Sequence, residues 1–104
     1  MVCKAPSKAY IAGKITGDPE YREKFQQAKK AIEKHNISVI VPSVLPGGLS
    51  KSDYMRICFA MIDCADVVYF LPDWEESEGA KVEKAYCEYV GKPIRFFRLE
   101  ACNE

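Results

Sequence analysis

Two short segments of this chain combine glycine with polar side chains in a way suited to holding a small anion. The first is Gly13-Lys14-Ile15-Thr16-Gly17-Asp18. Its glycines let the backbone turn tightly and approach a ligand closely, and the N–H groups exposed in such a turn can hold an anion. Lys14 adds a point charge and Thr16 a hydroxyl. The spacing fits neither a Walker loop nor a dinucleotide-binding loop, and an ordinary strand-to-helix turn would use the same residues. The second segment is Asp73-Trp74-Glu75-Glu76-Ser77-Glu78-Gly79. Ser77 and Gly79 open a helix, whose unpaired N–H groups and dipole attract phosphate or carboxylate. Ser77 can also serve simply as the cap of that helix. Trp74, the only tryptophan, is placed either to stack on a ligand or to lid the hydrophobic core. Glu83 follows Ser77 by about one and a half helical turns, so its carboxylate can point back at the same crevice. There it could act as nucleophile or general base, although a helical glutamate is most often solvated. Glu75, Glu76 and Glu78 read as a solvated acidic turn. With His35 as the only histidine, a Ser-His-Asp or multi-histidine metal mechanism has little to work with.

The elements that must position these residues follow from periodicity and punctuation. Ala9–Ala12 is a short apolar run ending at Gly13, which suits a strand. Asp18-Pro19 reads as a helix cap followed by proline at the first helical position. Tyr21, Phe25, Ala28 and Ile32 then recur at helical spacing, and His35-Asn36 closes the helix. Val39–Val41 is a second strand, and Pro42–Ser52 is a loop by composition. Tyr54, Ile57, Cys58, Met61 and Ile62 form a second amphipathic helix starting near Ser52 or Asp53. Val67–Leu71 is a continuous apolar run, as expected for a strand covered on both faces. A third helix runs from Ser77 to about Val90, with Gly91 at the position that favours a C-terminal glycine, and Ile94–Phe97 is a last strand. This alternation predicts an α/β fold: a three-layer, Rossmann-like or flavodoxin-like parallel sheet of about four to five strands, with helices on both faces. Ligands of such sheets bind beyond the carboxyl ends of the strands at the topological switch point. If the first and third strands are neighbours there, the two loops above share one crevice.

The 104 residues suffice for one domain, spanning 1–104. At 48% hydrophobic and 29% charged, the composition excludes wholesale disorder. Fifteen basic residues balance fifteen acidic ones, which argues against a partner that is a nucleic acid polymer. No apolar run approaches the length of a membrane span, and the N-terminus lacks the apolar stretch of a signal peptide. The expected location is therefore cytoplasmic, with no membrane partner. Five cysteines without a C-x-x-C pair read as free thiols in a reducing compartment, not as a zinc site or disulfide framework.

Three stretches carry a resemblance: Tyr10-Ile11-Ala12-Gly13-Lys14-Ile15-Thr16-Gly17, Cys64-Ala65-Asp66, and Trp74-x-x-Ser77-x-Gly79-Ala80-x-x-Glu83. Together they resemble a small uncharacterised family related to the nucleoside 2-deoxyribosyltransferases and the nucleoside 5′-monophosphate N-glycosidases. The resemblance covers roughly residues 9–94. It implies that Glu83 is the nucleophile that attacks the anomeric carbon of the sugar, and that Ser77 and Gly79 hold a 5′-phosphate. The transferases resemble an aspartate at the Ser77 position, so the serine tilts the implied substrate toward a nucleotide. In the hydrolases the first loop resembles Gly-Ser-Ile-Arg-Gly. Here Gly13, Lys14, Ile15, Thr16 and Gly17 keep one cation but shift it by two positions. Tyr10 maps onto an aromatic in the base or sugar pocket, and Trp74 would flank the same ligand. The implied partners are a small nucleoside or nucleotide and a second copy of the chain in a homodimer, with no metal or organic cofactor.

Two departures bear on activity. The related enzymes carry an aspartate on the second helix about eight residues before the position of Asp66, where this chain has Cys58. Asp53 or Asp63 would replace it only in a different helical register. The enzymes also continue into a fifth element that completes a neighbouring subunit's site. The expected function is hydrolysis or transfer at the N-glycosidic bond of a nucleoside 5′-monophosphate or related nucleotide. The alternative is a non-catalytic module that senses or sequesters a nucleotide in the same pocket. A third reading, thiol redox chemistry, would need a cysteine with a depressed pKa.

Overall fold

A computed structural model of the chain describes residues 6–98. The elements are β1 (Lys8–Ala12), α1 (Tyr21–Glu33), β2 (Ser38–Ile40), α2 (Lys51–Cys64), β3 (Val67–Phe70), α3 (Glu78–Val90) and β4 (Ile94–Phe96). Short 3-10 turns at Pro42–Val44 and Trp74–Glu76 lie in the β2–α2 and β3–α3 connections. The four strands form one parallel sheet in the order β2-β1-β3-β4. The chain therefore steps from β1 to β2 on one side and to β3 on the other. The switch point lies between β1 and β3, and the loops after these strands share it.

Alternation along β1 and β3 divides the core into two layers. Ala9, Ile11 and Val67 face α1, where they meet Phe25, Ala28 and Ile32. Tyr10, Ala12, Val68 and Phe70 face the opposite way, onto Cys58 and Ile62 of α2 and Cys87 of α3. One helix thus covers one face of the sheet and two cover the other. The buried stretches 9–12 of β1 and 67–70 of β3 are apolar because both faces of these central strands are covered, whereas Ser38 and Arg95 stand in the outer strands.

The element order matches the sequence reading, but three helix boundaries differ. Asp18 is not the cap of α1; the cap position is Glu20, without a side-chain bond to the helix. Asp18 instead accepts from the Glu20 N–H at 2.9 Å and from Lys24, so a two-residue turn intervenes before the helix. The α2 cap is Ser50 rather than Ser52 or Asp53, and its hydroxyl accepts from the Asp53 N–H at 3.1 Å. Helix α1 ends at Glu33, and Asn36 adopts φ 61° beyond it, the left-handed conformation that asparagine tolerates. Gly91 closes α3 at φ 80°, as its position predicts.

Phe25 is completely buried and fills the layer between α1 and the sheet. Phe25→Ala is expected to cost about 3–5 kcal/mol through lost burial and the cavity left behind. Urea unfolding followed by circular dichroism measures this cost; a change under 1 kcal/mol would mean that this layer repacks freely.

Candidate active site

Glu83 is the only buried charged or polar residue of the described core, at 4% exposure. It lies on the inward stripe of α3 with Ala80 and Cys87, one turn to either side. Its Oε2 accepts a hydrogen bond of 2.7 Å from the hydroxyl of Tyr10, which stands on β1 with no exposed surface. Cys58 of α2, also fully buried, belongs to the same apolar layer as Tyr10, and Tyr54, one helical turn earlier, packs against that layer. Three elements therefore converge on one carboxylate.

The electrostatics follow from this enclosure. Burial raises the Glu83 pKa to about 7, against hydrogen bonds from Tyr10 and Cys58 that pull it down. The desolvation cost of the charged form is the larger effect. Burial also pushes the Cys58 thiol up to about 12 and the Cys87 thiol up to about 11. Tyr10 and Tyr54 are raised for the same first reason, with the Glu83 charge adding to it. Both buried thiols are thus held away from the thiolate form that redox chemistry needs. Cys64 is exposed, and Cys3 and Cys102 lie outside the described residues.

The two glycine-bearing loops meet as the topology requires. A β-carbon at Gly13 would stand 2.7 Å from Leu71 Cδ1 and 3.0 Å from its Cβ, so glycine is needed for the ends of β1 and β3 to pack. The Lys14 N–H donates to Asp73 Oδ1 at 3.1 Å, and the Lys14 ammonium lies 3.5 Å from Glu76. Lys24 of α1 joins both loops: its ammonium donates to Asp18, to Asp73 and to the Lys14 carbonyl. Gly17 takes φ 83° at the tip of the first loop, a conformation that favours glycine. Thr16 beside it is exposed, while Ile15 packs onto the core layer beneath α1.

At the mouth of α3, the Ser77 hydroxyl accepts from the Ala80 N–H at 3.1 Å. Gly79 allows Met55 of α2 to approach, since a β-carbon there would lie 3.2 Å from Met55 Cε. Trp74 rests edge-on against Phe70 and beside Phe96, with the Lys84 ammonium 5.1 Å from its ring centre. The structure thus joins Tyr10 to Glu83 and the first loop to the second. Trp74 makes its ring contacts with the side chains at the β4 edge.

Lys24, Asp73 and Tyr54 also belong to this neighbourhood, and no role was read for them from sequence. The i, i+4 spacing of Tyr54 and Cys58 was visible there. The pairing of Lys24 with Asp73, 49 residues away, leaves no local trace. Neither candidate substitute for the missing aspartate reaches Glu83. Asp63 accepts from the Tyr86 hydroxyl at 2.6 Å on the exposed side of the helices, and Asp53 is exposed in the first turn of α2. Among the described residues, no group of three or more His, Cys, Asp or Glu is arranged to hold a metal ion. No described helix is long and apolar enough to cross a membrane.

The sequence matches a family described as "Domain of unknown function (DUF4406)" over residues 7–96. The chain belongs to this family. Among solved structures, the DUF4406 fold is similar to that of a 2-desoxiribosyltransferase from Leishmania mexicana, with a TM-score of 0.68 and 21% identity. The likeness covers 88% of this chain and 64% of that one, so this chain spans under two thirds of the enzyme's length. The fold that the resemblance implied is the one observed. No curated protein matches the sequence.

Because Glu83 has a folded-state pKa above its unfolded one, its contribution to stability is greatest below about 4.5 and is lost as pH rises through about 7. Glu83→Gln keeps an acceptor for Tyr10 and removes the ionisation. At pH 8 it should be more stable than wild type by roughly 1–3 kcal/mol, with the advantage gone near pH 4. Urea titrations at the two pH values test this; equal stability offsets at both would show that Glu83 ionises as freely as an exposed carboxylate.

Proposed function

We propose that this protein cleaves the N-glycosidic bond of a nucleoside 5′-monophosphate or related nucleotide, with Glu83 as nucleophile. The observation that carries this reading is the buried Glu83 carboxylate, held through Oε2 by Tyr10, on the helix whose first residues would bind the phosphate. In the reaction, Glu83 Oε1 bonds to the anomeric carbon as the C–N bond breaks, and the bonding pair leaves on the base nitrogen, which takes a proton. Water then attacks the anomeric carbon and restores the carboxylate, so two displacements replace one. With a second base in place of water the same intermediate leads to transfer. A deoxyribosyltransferase of the same fold supports glycosyl chemistry on a nucleoside in either form.

Several features favour a phosphorylated substrate. The Ser77 hydroxyl spends its acceptor capacity on Ala80, which leaves its proton to donate to a phosphate oxygen. The N–H groups of Glu78 and Gly79 head the helix without an intrahelical acceptor. Ser77 and Glu83 are six positions apart, about 9 Å along the helix axis, a length that a sugar 5-phosphate spans. The Lys14–Glu76 pair is long at 3.5 Å and its Glu76 side chain is 68% exposed, so little is lost when Lys14 turns to a phosphate. Tyr10 and Trp74 would bound the sugar and base. A homodimer fits the large apolar side chains left exposed on α3: Val82, Tyr89 and Val90. No cofactor is required, and the chemistry suits a cytoplasmic nucleotide pool.

A second reading, a nucleotide-binding module without turnover, is favoured by one observation. Position 58 offers Glu83 a thiol rather than a carboxylate, and the carboxylate is nearly enclosed.

A thermal-shift screen of nucleosides and nucleotides, followed by chromatography of each hit for free base, separates the two. Nucleoside monophosphates should stabilise the protein, by about 2.7 kcal/mol at a hundredfold excess over Kd. Base release should rise with pH through about 7 as Glu83 ionises. Glu83→Ala should keep binding while losing at least a thousandfold in release. Binding without release establishes the module, and no stabilisation by any phosphorylated ligand overturns both readings.

A further inference from the structure

The main chain of Lys14 is held more firmly than its charge. Its N–H donates to Asp73 Oδ1 at 3.1 Å, and its carbonyl accepts from the Lys24 ammonium at 2.8 Å. Lys24 and Asp73 are themselves paired, through Oδ2 of the carboxylate. One ion pair therefore grips both peptide groups that flank a single loop residue. Lys24 also donates to Asp18 Oδ2, at the far end of the same loop. An ammonium has three donors; all three of Lys24 have protein acceptors, so it has none left for a ligand. The side chains of Lys24 and Asp73 are 26% and 23% exposed, and hydrogen bonds between such charged partners are the strong ones. The Lys14 ammonium differs in each respect. Its side chain crosses Gly17, with Cε 3.8 Å from where a β-carbon of that glycine would stand. It ends 3.5 Å from the exposed Glu76 carboxylate, on the residue just before the Ser77 cap of α3.

We infer that Lys24 and Asp73 are positioning residues for phosphate recognition: by holding the peptide groups of Lys14 they aim its ammonium at the mouth of α3. This rests on reading Ser77 and the head of α3 as the phosphate seat. The physical reason is entropic. Lysine carries its charge on a flexible four-carbon stem, and a mobile main chain beneath that stem would spread the charge over a wide volume. With the main chain fixed, binding costs only side-chain rotation. The same ion pair joins the turn after β1 to the turn after β3, so the cation and the helix mouth keep one separation. It also assigns the first loop a different role from an amide nest. The Asp73 carboxylate already sits on the Lys14 N–H, so this residue meets a phosphate through its side chain and not through its amide.

The test is an NMR titration of wild type, Lys14→Met, Lys24→Met and the double variant. The probes are ribose 5-phosphate, 2-deoxyribose 5-phosphate and nucleoside 5′-monophosphates, each beside its unphosphorylated counterpart. Lys24→Met should weaken every phosphorylated probe that wild type binds by about tenfold or more, and leave the counterparts within about twofold. Adding Lys24→Met to Lys14→Met should change affinity by less than about twofold, because Lys24 acts through Lys14. Equal losses for phosphorylated and unphosphorylated probes, or losses that add in the double variant, would overturn the inference; a general loosening of the fold produces either. Amide hydrogen exchange without ligand gives an independent reading. In Lys24→Met the Lys14 N–H should exchange at least about tenfold faster relative to the β3 amides. Unchanged protection there overturns the inference whatever binds. Asp73→Asn, which keeps an oxygen for the Lys14 N–H and removes the charge opposite Lys24, takes the place of Lys24→Met if that variant fails to fold. A loosened Lys14 in a protein that binds no phosphorylated probe overturns instead the phosphate reading on which the inference rests.

Discussion

A carboxylate placed inside an apolar layer costs free energy unless something donates to it, and here the donor is a tyrosine from the central strand. The Tyr10–Glu83 hydrogen bond joins β1 to α3 across 73 residues of sequence. It explains why a tyrosine occupies a fully buried position in a strand whose other buried residues are alanine and isoleucine. It also explains why α3 carries a glutamate on its inward stripe. Only the desolvation cost and the hydrogen bonds together leave Glu83 titrating near neutrality. Had the helix turned this residue outward, the carboxylate would be an ordinary surface charge.

The loops depend on the same sheet. Because β1 and β3 are neighbours, the turn after β1 meets the turn after β3, and Gly13 permits the approach by giving room to Leu71. Lys24 then ties Asp18, Asp73 and the Lys14 carbonyl into one cluster. This half-buried cation sets the spacing between the loops from the α1 side. On the opposite face of the sheet Ser77 caps α3. Ser77 and Glu83 are thus held on one helix.

Much of this was legible in the sequence. Short apolar runs bounded by glycine and proline marked all four strands, and helical periodicity marked the three helices. Helix starts were harder to read. Asp18-Pro19 carries the signature of a cap, yet Asp18 is engaged by Lys24 and the helix begins later. Ser50, Ser52 and Asp53 are all capable of capping α2, and only the geometry selects Ser50. Glu83 could be found from its spacing to Ser77, but its place on the inward stripe of α3 with Ala80 and Cys87 comes from the structure. The enclosure by Tyr10, Cys58 and Tyr54 could not be read, because it is made by side chains far apart in sequence. Trp74 could be read either as a ligand platform or as a core lid, and its contacts with Phe70, Phe96 and Lys84 join side chains from three separate elements.

The central claim is that the Glu83 carboxylate forms a covalent bond to a sugar. Mass spectrometry of the protein incubated with a 2-fluoro sugar nucleoside monophosphate tests this directly, since the fluorine slows breakdown of a glycosyl-enzyme more than it slows its capture by a poised nucleophile. The account predicts an adduct with the mass of the fluorinated sugar phosphate, mapped by peptide sequencing to Glu83 and absent from Glu83→Gln. Base release with no adduct on Glu83, or an adduct on another residue, would contradict it.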